Sequence, residues 1–311
     1  MKRDIDIDVA KGICIILVIV RHMEVFYKLN VIPFTDIAVP LFFFMSGFYV
    51  KTKTNFSFFV KNNIKRIIFP AILWAILALC YNIPLQYLNK GYCIIEFDWV
   101  SPTPANGALW FLFALFYAKM IFYFMNKVKH LIFIIVFSFV LGYIGVNYEM
   151  PCYFNDGMMA VPFFVIGNIC YKHLNYIRDN VYLLLLGIIS YILLIIKIIS
   201  FEISPINVFH YSSGYYIVCV FAVLLSFIPF LKMVHYLKGG LFAKIGLHTM
   251  GILCIHLQIC HSFAVVIRKI VPYGSDGWIA LSLVSFVLVL LLSYYIAIFL
   301  EKKTPFVFGK F

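Results

Sequence analysis

The sequence predicts an all-α, polytopic integral membrane protein of about ten transmembrane helices, with N- and C-termini both cytoplasmic. Three observations predict it. Of 311 residues, 64% are hydrophobic and only 12% charged, whereas a soluble domain is nearer half apolar and a quarter charged. The apolar residues come in long unbroken runs, not in the short alternating segments of a transmembrane barrel. Lys and Arg crowd the segments on one side, while the other side holds only Lys28, Lys90, Arg268 and Lys269. That asymmetry follows the positive-inside rule and requires an even number of spans.

In chain order the spans are read at 9–27, 36–50, 64–82, 108–126, 130–146, 158–172, 180–199, 214–231, 242–267 and 277–300. The first follows MKRDIDIDVAKG, whose three aspartates and lack of a small-residue cleavage site argue against a removed signal. The second is short, and Pro40 and Gly47 predict a broken or kinked helix of the kind that lines a membrane cavity. Basic residues precede the third, NNIKRIIFPAILW, as the charge rule expects. The fourth opens on NGALWFL; the next four are plain apolar runs. The ninth carries His248 and His256, and the tenth ends on a basic pair, Lys302 and Lys303. Residues 83–107 are read as a folded cap on the outer side. No linker, low-complexity tract or repeat divides the chain, so one membrane domain, 1–311 without an appended soluble domain, is expected. The net charge of +12 is mostly this topology signal, and no nucleic acid partner is expected. Eight cysteines show no CxxC or metal-like spacing, so no metal is expected. Cys93 and Cys152 fall in outer loops, where an oxidising compartment would let them pair.

Ionisable residues inside hydrocarbon mark functional candidates. Lys11 and His22 are eleven residues apart, about three helical turns and roughly 16 Å, on one face. A neutral imidazole there suits a general base. Arg21 is about 100° around the helix and is read as facing elsewhere, and Glu24 also points away. Arg66 is closest to the hydrocarbon among Lys61, Lys65 and Arg66, and its planar fork suits a phosphate. Trp110 reads as an interfacial residue or, with Asn106 beside it, as part of a polar ligand site. His256, deep in the ninth span, is the third candidate for substrate contact.

Taken in order, D-x-x-K-G-x9-H, PLFFFMSGF, R-x3-P-x3-W, LWFL and G-x8-IH resemble the acyltransferase-3 family of bacterial membrane enzymes that O-acylate carbohydrates. The resemblance implies a ten-span enzyme of the bacterial cytoplasmic (inner) membrane. It implies His22 as catalytic histidine, Lys11 as the basic residue before it, and Arg66, with Lys65 and Lys61, on the donor. Acetyl-CoA would then be the donor substrate, with no tightly bound cofactor. The acceptor would be a surface polysaccharide, a lipid-linked glycan or another carbohydrate hydroxyl. Membrane lipids surround such a chain, and a homo-oligomer is compatible with it. Two positions depart from the pattern: lysine stands at 11, where arginine is usual, and Asn63 stands where many members carry a second basic residue. Lys61 or Lys65 would be the substitutes. The rival reading is a transporter or flippase of polysaccharide units, using the same buried charges as a path.

Overall fold

A computed structural model describes residues 4–31, 35–50, 52–90, 98–128, 130–200, 216–237 and 239–310, with the backbone alone at 88–90 and 197–200. Among these residues the secondary structure is helical, with no strand. The helices are α1 (Ile5–Arg21), α2 (Glu24–Lys28), α3 (Ala38–Gly47), α4 (Phe56–Asn63), α5 (Phe69–Lys90), α6 (Trp110–Met125), α7 (Leu131–Asn147), α8 (Phe154–Cys170), α9 (Leu174–Asp179), α10 (Val181–Ser200), α11 (Tyr216–Tyr236), α12 (Leu241–Leu247), α13 (Thr249–Ile270) and α14 (Asp276–Lys303). Cys93 lies outside the described residues, and so does its suggested pairing with Cys152.

Every apolar run read in the sequence contains a helix, but length separates them. Phe56–Tyr87, Gly107–Met125, Tyr216–Tyr236, Thr249–Ile270 and Asp276–Lys303 are long and apolar enough to cross a membrane. A sixth arises if Pro151–Asp179 and Val181–Ile196, bent by 98°, count as one broken span. The α1, α3 and α7 helices have 17, 10 and 17 residues, fewer than the ~20 that span a bilayer.

Three elements differ from expectation. The first run is not continuous over 9–27: α1 stops at Arg21, Met23 is extended, and α2 is a separate short helix. Three polar side chains within four residues there are drawn to different partners. Arg21 pairs with Asp36, the His22 ring packs on His256, and Glu24 pairs with Arg268. A straight helix would fix these side chains at about 100° and about 200° steps around its axis, whereas the break at Met23 lets each follow its own partner. Pro40 does not kink α3, because it is the third residue of that helix, where the missing N–H has no intrahelical partner to lose. The ninth run is two helices, since α12 and α13 part at His248. The His248 imidazole is held 2.7 Å from Glu301 in the last turn of α14.

Glycine sets how closely α1 meets α12. A Cβ on Gly12 would lie 2.0 Å from the Phe242 carbonyl oxygen, and one on Gly246 would lie 1.8 Å from that of Asp8. Small residues allow this backbone-to-backbone crossing, the usual means of tight helix packing in membranes. Gly246 thus lies against the first turns of α1, and His248 ties the same region to the last turn of α14. The beginning of α1 and the end of α14 therefore occupy one end of the bundle.

A π turn over Ile64–Ile68 joins α4 to α5. Pro70 lacks the N–H that would reach the Arg66 carbonyl, and the turn absorbs that loss. The chain end covers the spot: a Cβ on Gly309 would lie 2.4 Å from the Arg66 oxygen. Trp74 clamps this hook, its indole N–H donating to the Val307 carbonyl at 3.0 Å and its ring stacking on Phe308 at 5.4 Å. The R-x3-P-x3-W pattern is thereby explained in part as a docking motif for the C-terminal turn.

Candidate active site

A cavity of about 460 Å³ lies between α1, α3, α6 and α13. One stripe of α1 forms its long wall: Lys11, Ile15, Val18 and His22, spaced by four, three and four as one helix face requires. Val39, Phe42 and Ser46 of α3 face them. The start of α6 contributes Trp110, Phe111 and Leu115, and α13 contributes Thr249, Met250 and Leu253. The aromatic motifs meet here, with the Phe43 ring 4.7 Å from Phe111 and 6.3 Å from Trp110. Trp110 is thus a wall of the cavity as well as a residue at a span edge.

At one end stand His22, Arg21 and Asp36. Arg21 lines the cavity and pairs with Asp36, whose side chain is 2% exposed. The expectation that Arg21 faces away is therefore corrected. Helix periodicity fails at the last residue of α1, where the chain leaves the helix and the side chain follows its partner instead. Glu24, by contrast, pairs with Arg268 on the outside of α13.

His256 is fully buried, with its ring centroid 5.2 Å from that of His22. Its Nδ1 lies 3.0 Å from both the Ile252 and Leu253 carbonyl oxygens. Carbonyls only accept, so Nδ1 carries the proton and donates. Nε2 is then an acceptor, and it has no partner among the described residues. His256 stands behind His22 and is not among the residues lining the cavity.

Asn106 is buried beside the cavity. Its Nδ2 donates to the Cys254 carbonyl at 3.0 Å and faces the Gln258 amide, bracing the start of α6 against α13. The Asn106 oxygen has no partner among the described residues.

The other end is marked by Lys11. Arg66, Lys65 and Lys61 do not line the cavity; all three are exposed, Lys61 in the last turn of α4 and the other two in the π turn. A residue that sequence reading passed over lies closer. Lys119 of α6 sits one turn beyond Leu115, and its ammonium donates to Asn63 Oδ1 at 3.4 Å. Its charge is within repulsive reach of Arg66 and of Lys11. The available signal was a single lysine in an otherwise uncharged apolar run, WFLFALFYAKMIFYFM. Asp36 was passed over because it reads as the polar edge of the second span.

Among known proteins, a family model described as an acyltransferase domain matches residues 4–299, from the start of α1 to the last turns of α14. No curated protein and no solved structure matches the chain. The match gives the transport reading no support. The chain belongs to the acyltransferase-3 family, and this helical membrane protein is an acyltransferase.

Proposed function

We propose that the protein moves an acyl group, acetyl in the simplest case, from acyl-CoA to a hydroxyl of a surface polysaccharide, lipid-linked glycan or other carbohydrate in a bacterial cytoplasmic membrane. The observation that carries the reading is the single cavity lined by both Lys11 and His22. Eleven residues of helix separate them, roughly 16 Å, comparable with the extended pantetheine arm between a thioester and the pyrophosphate of CoA. Such a spacing fits one elongated donor with its reactive end at His22. At that distance Lys11 serves the donor's other end and does not touch the reacting carbonyl.

A thioester is already activated, so the slow part is attack by a neutral hydroxyl. His22 takes the hydroxyl proton as the new carbon–oxygen bond forms. The carbon–sulfur bond breaks, and the departing CoA thiolate recovers the proton from the imidazolium. A positioned base of this kind contributes about 10²–10⁴-fold. His256 supports the assignment, because an acceptor nitrogen behind His22 suits an N–H on one His22 nitrogen and leaves the other basic. Arg21, held by Asp36 on the cavity wall, is the cation positioned to steady negative charge developing on the carbonyl oxygen. Trp110 and Phe111 offer flat apolar faces of the kind a sugar ring packs on. Asn106 is assigned to holding that wall, with its unpartnered oxygen as the polar group nearest at hand.

The test is transfer of labelled acetyl from acetyl-CoA to candidate lipid-linked glycans by the purified protein. Mass spectrometry of surface glycan from a deletion strain accompanies it. Loss of acetyl groups at unchanged chain length is the expected result; shortened or absent glycan with acetylation intact would overturn the reading.

A further inference from the structure

Lys119 is the one charged residue of α6, and nothing assigned so far uses it. Its place is unusual for a lysine. It lies well inside a 19-residue apolar helix, four residues beyond the cavity-lining Leu115 and on the same face. It lies six residues before the helix end at Met125, roughly 9 Å, and is half-buried there. Held in hydrocarbon without compensation, it costs several kcal/mol.

The compensation visible in the structure is small. The hydrogen bond from Nζ goes to one neutral oxygen, Asn63 Oδ1, at 3.4 Å. Asn63 is itself 6% exposed, and its Nδ2 is already committed to the Phe59 carbonyl at 2.8 Å. The oxygen therefore has no rival donor on its own side chain and is oriented toward Lys119. The other charges near the ammonium are alike in sign, Arg66 first and Lys11 second. Neither Lys119 nor Arg66 forms an ion pair among the described residues. A half-buried ammonium that meets only a neutral amide, with the exposed Arg66 guanidinium adding repulsion, is unfavourable unless an anion joins it.

We propose that Lys119, with Arg66 and Lys11, forms an anion site at the end of the cavity away from His22, and that it takes the phosphate end of the acyl donor. This rests on the acyl-CoA reading above. Lys119 then supplies from α6 the charge that Asn63 does not supply from α4, and Asn63 positions it by hydrogen bond. The exposed Lys61 and Lys65 become peripheral. A phosphate held at this end places a pantetheine arm along the stripe Ile15 and Val18 toward His22.

The experiment measures binding of CoA, and separately of pantetheine, which lacks the phosphates, to the full-length protein in lipid nanodiscs. Lys119→Gln should weaken CoA binding by about tenfold or more, the loss of one charge-assisted contact, and leave pantetheine binding unchanged. Lys119→Arg should hold within about threefold of wild type. Asn63→Arg added to Lys119→Gln should recover most of the lost affinity, which also guards against a folding defect in the single variant. CoA binding unaffected by Lys119→Gln would overturn the site while leaving the donor reading intact. A wild-type protein that binds no CoA would overturn the donor reading itself. Nanodiscs with and without phosphatidic acid then separate the sources of phosphate: if Lys119 responds to that lipid alone, the anion is a headgroup and the donor assignment falls.

Discussion

The two ends of the cavity solve the problem of buried charge in opposite ways. At the His22 end, every charge has a protein partner of opposite sign or a fixed hydrogen-bond geometry. Arg21 meets Asp36, and His256 spends its Nδ1 proton on two carbonyls. Around Lys119 the charges that act on the ammonium, those of Arg66 and Lys11, are of its own sign, and its hydrogen-bond partner is a neutral amide. The first arrangement has its cation paired and its second imidazole oriented without a ligand, as a reaction centre that must be positioned in advance should. The second leaves the Lys119 ammonium with a neutral partner, as a group kept for a bound anion would have. The difference teaches that an intramembrane charge is best interpreted through its partner and not through its presence alone.

The sharpest way to break the comparison is at His22. His22→Ala should lower acetyl transfer by about 10²–10⁴-fold, with protein level and CoA binding nearly unchanged, measured by labelled transfer beside the binding assay. A matching loss of CoA affinity would mean the two ends are not separate. Next is the ion pair. Arg21→Leu leaves Asp36 buried and alone, which should cost about 3–5 kcal/mol of stability, whereas Arg21→Leu with Asp36→Leu should restore much of it. Thermal unfolding in nanodiscs checks both. Activity should stay low in the double variant if Arg21 steadies the developing charge, and return if the pair is only structural.

Why these roles were only partly legible follows from what periodicity can and cannot report. The stripe Lys11, Ile15, Val18 and His22 was legible because α1 is regular across it, and a regular helix converts spacing into direction. Arg21 was misread one residue earlier than His22 because the helix ends there, and beyond an end the tertiary partner sets the direction. Asp36 sits fifteen residues away in what reads as a span edge, so nothing local ties it to Arg21. Lys119 was overlooked for the same reason: Asn63 is 56 residues distant, and only the fold brings them together. The helical class was legible from composition, and each apolar run holds a helix. Breaks within the runs were not, because His22 and His248 end their helices through side-chain partners and not through glycine or proline. Pro40, the residue that did announce a break, falls in a first turn where proline is tolerated.

A smaller effect tests how His22 is held. His256→Gln keeps a polar group behind His22, while His256→Leu keeps only bulk. The leucine variant should lose about tenfold in kcat, roughly one good hydrogen bond, with KM for acetyl-CoA unchanged, and glutamine should recover part of it. The pH–rate profile should shift in the leucine variant, since the environment of the base has changed. Equal losses in both variants with an unshifted profile would reduce His256 to packing.

The smallest expected effect is also the most discriminating at the binding end. Lys61 and Arg66 are both exposed and lie two and three residues from Asn63, and the sequence prefers Arg66 only for its position and its planar fork. The structure adds a second reason, because the Arg66 charge acts on the Lys119 ammonium. A solvent-screened charge contributes about 0–1 kcal/mol, so Lys61→Ala should change CoA affinity by less than about threefold. Arg66→Ala should weaken it more, because the bound phosphate would lie between Arg66 and the half-buried Lys119 ammonium, where screening is weaker. If the order were reversed, the phosphate would sit outside the helix surface at the membrane boundary. Lys119 would then face an amide and two like charges with no ligand to account for them.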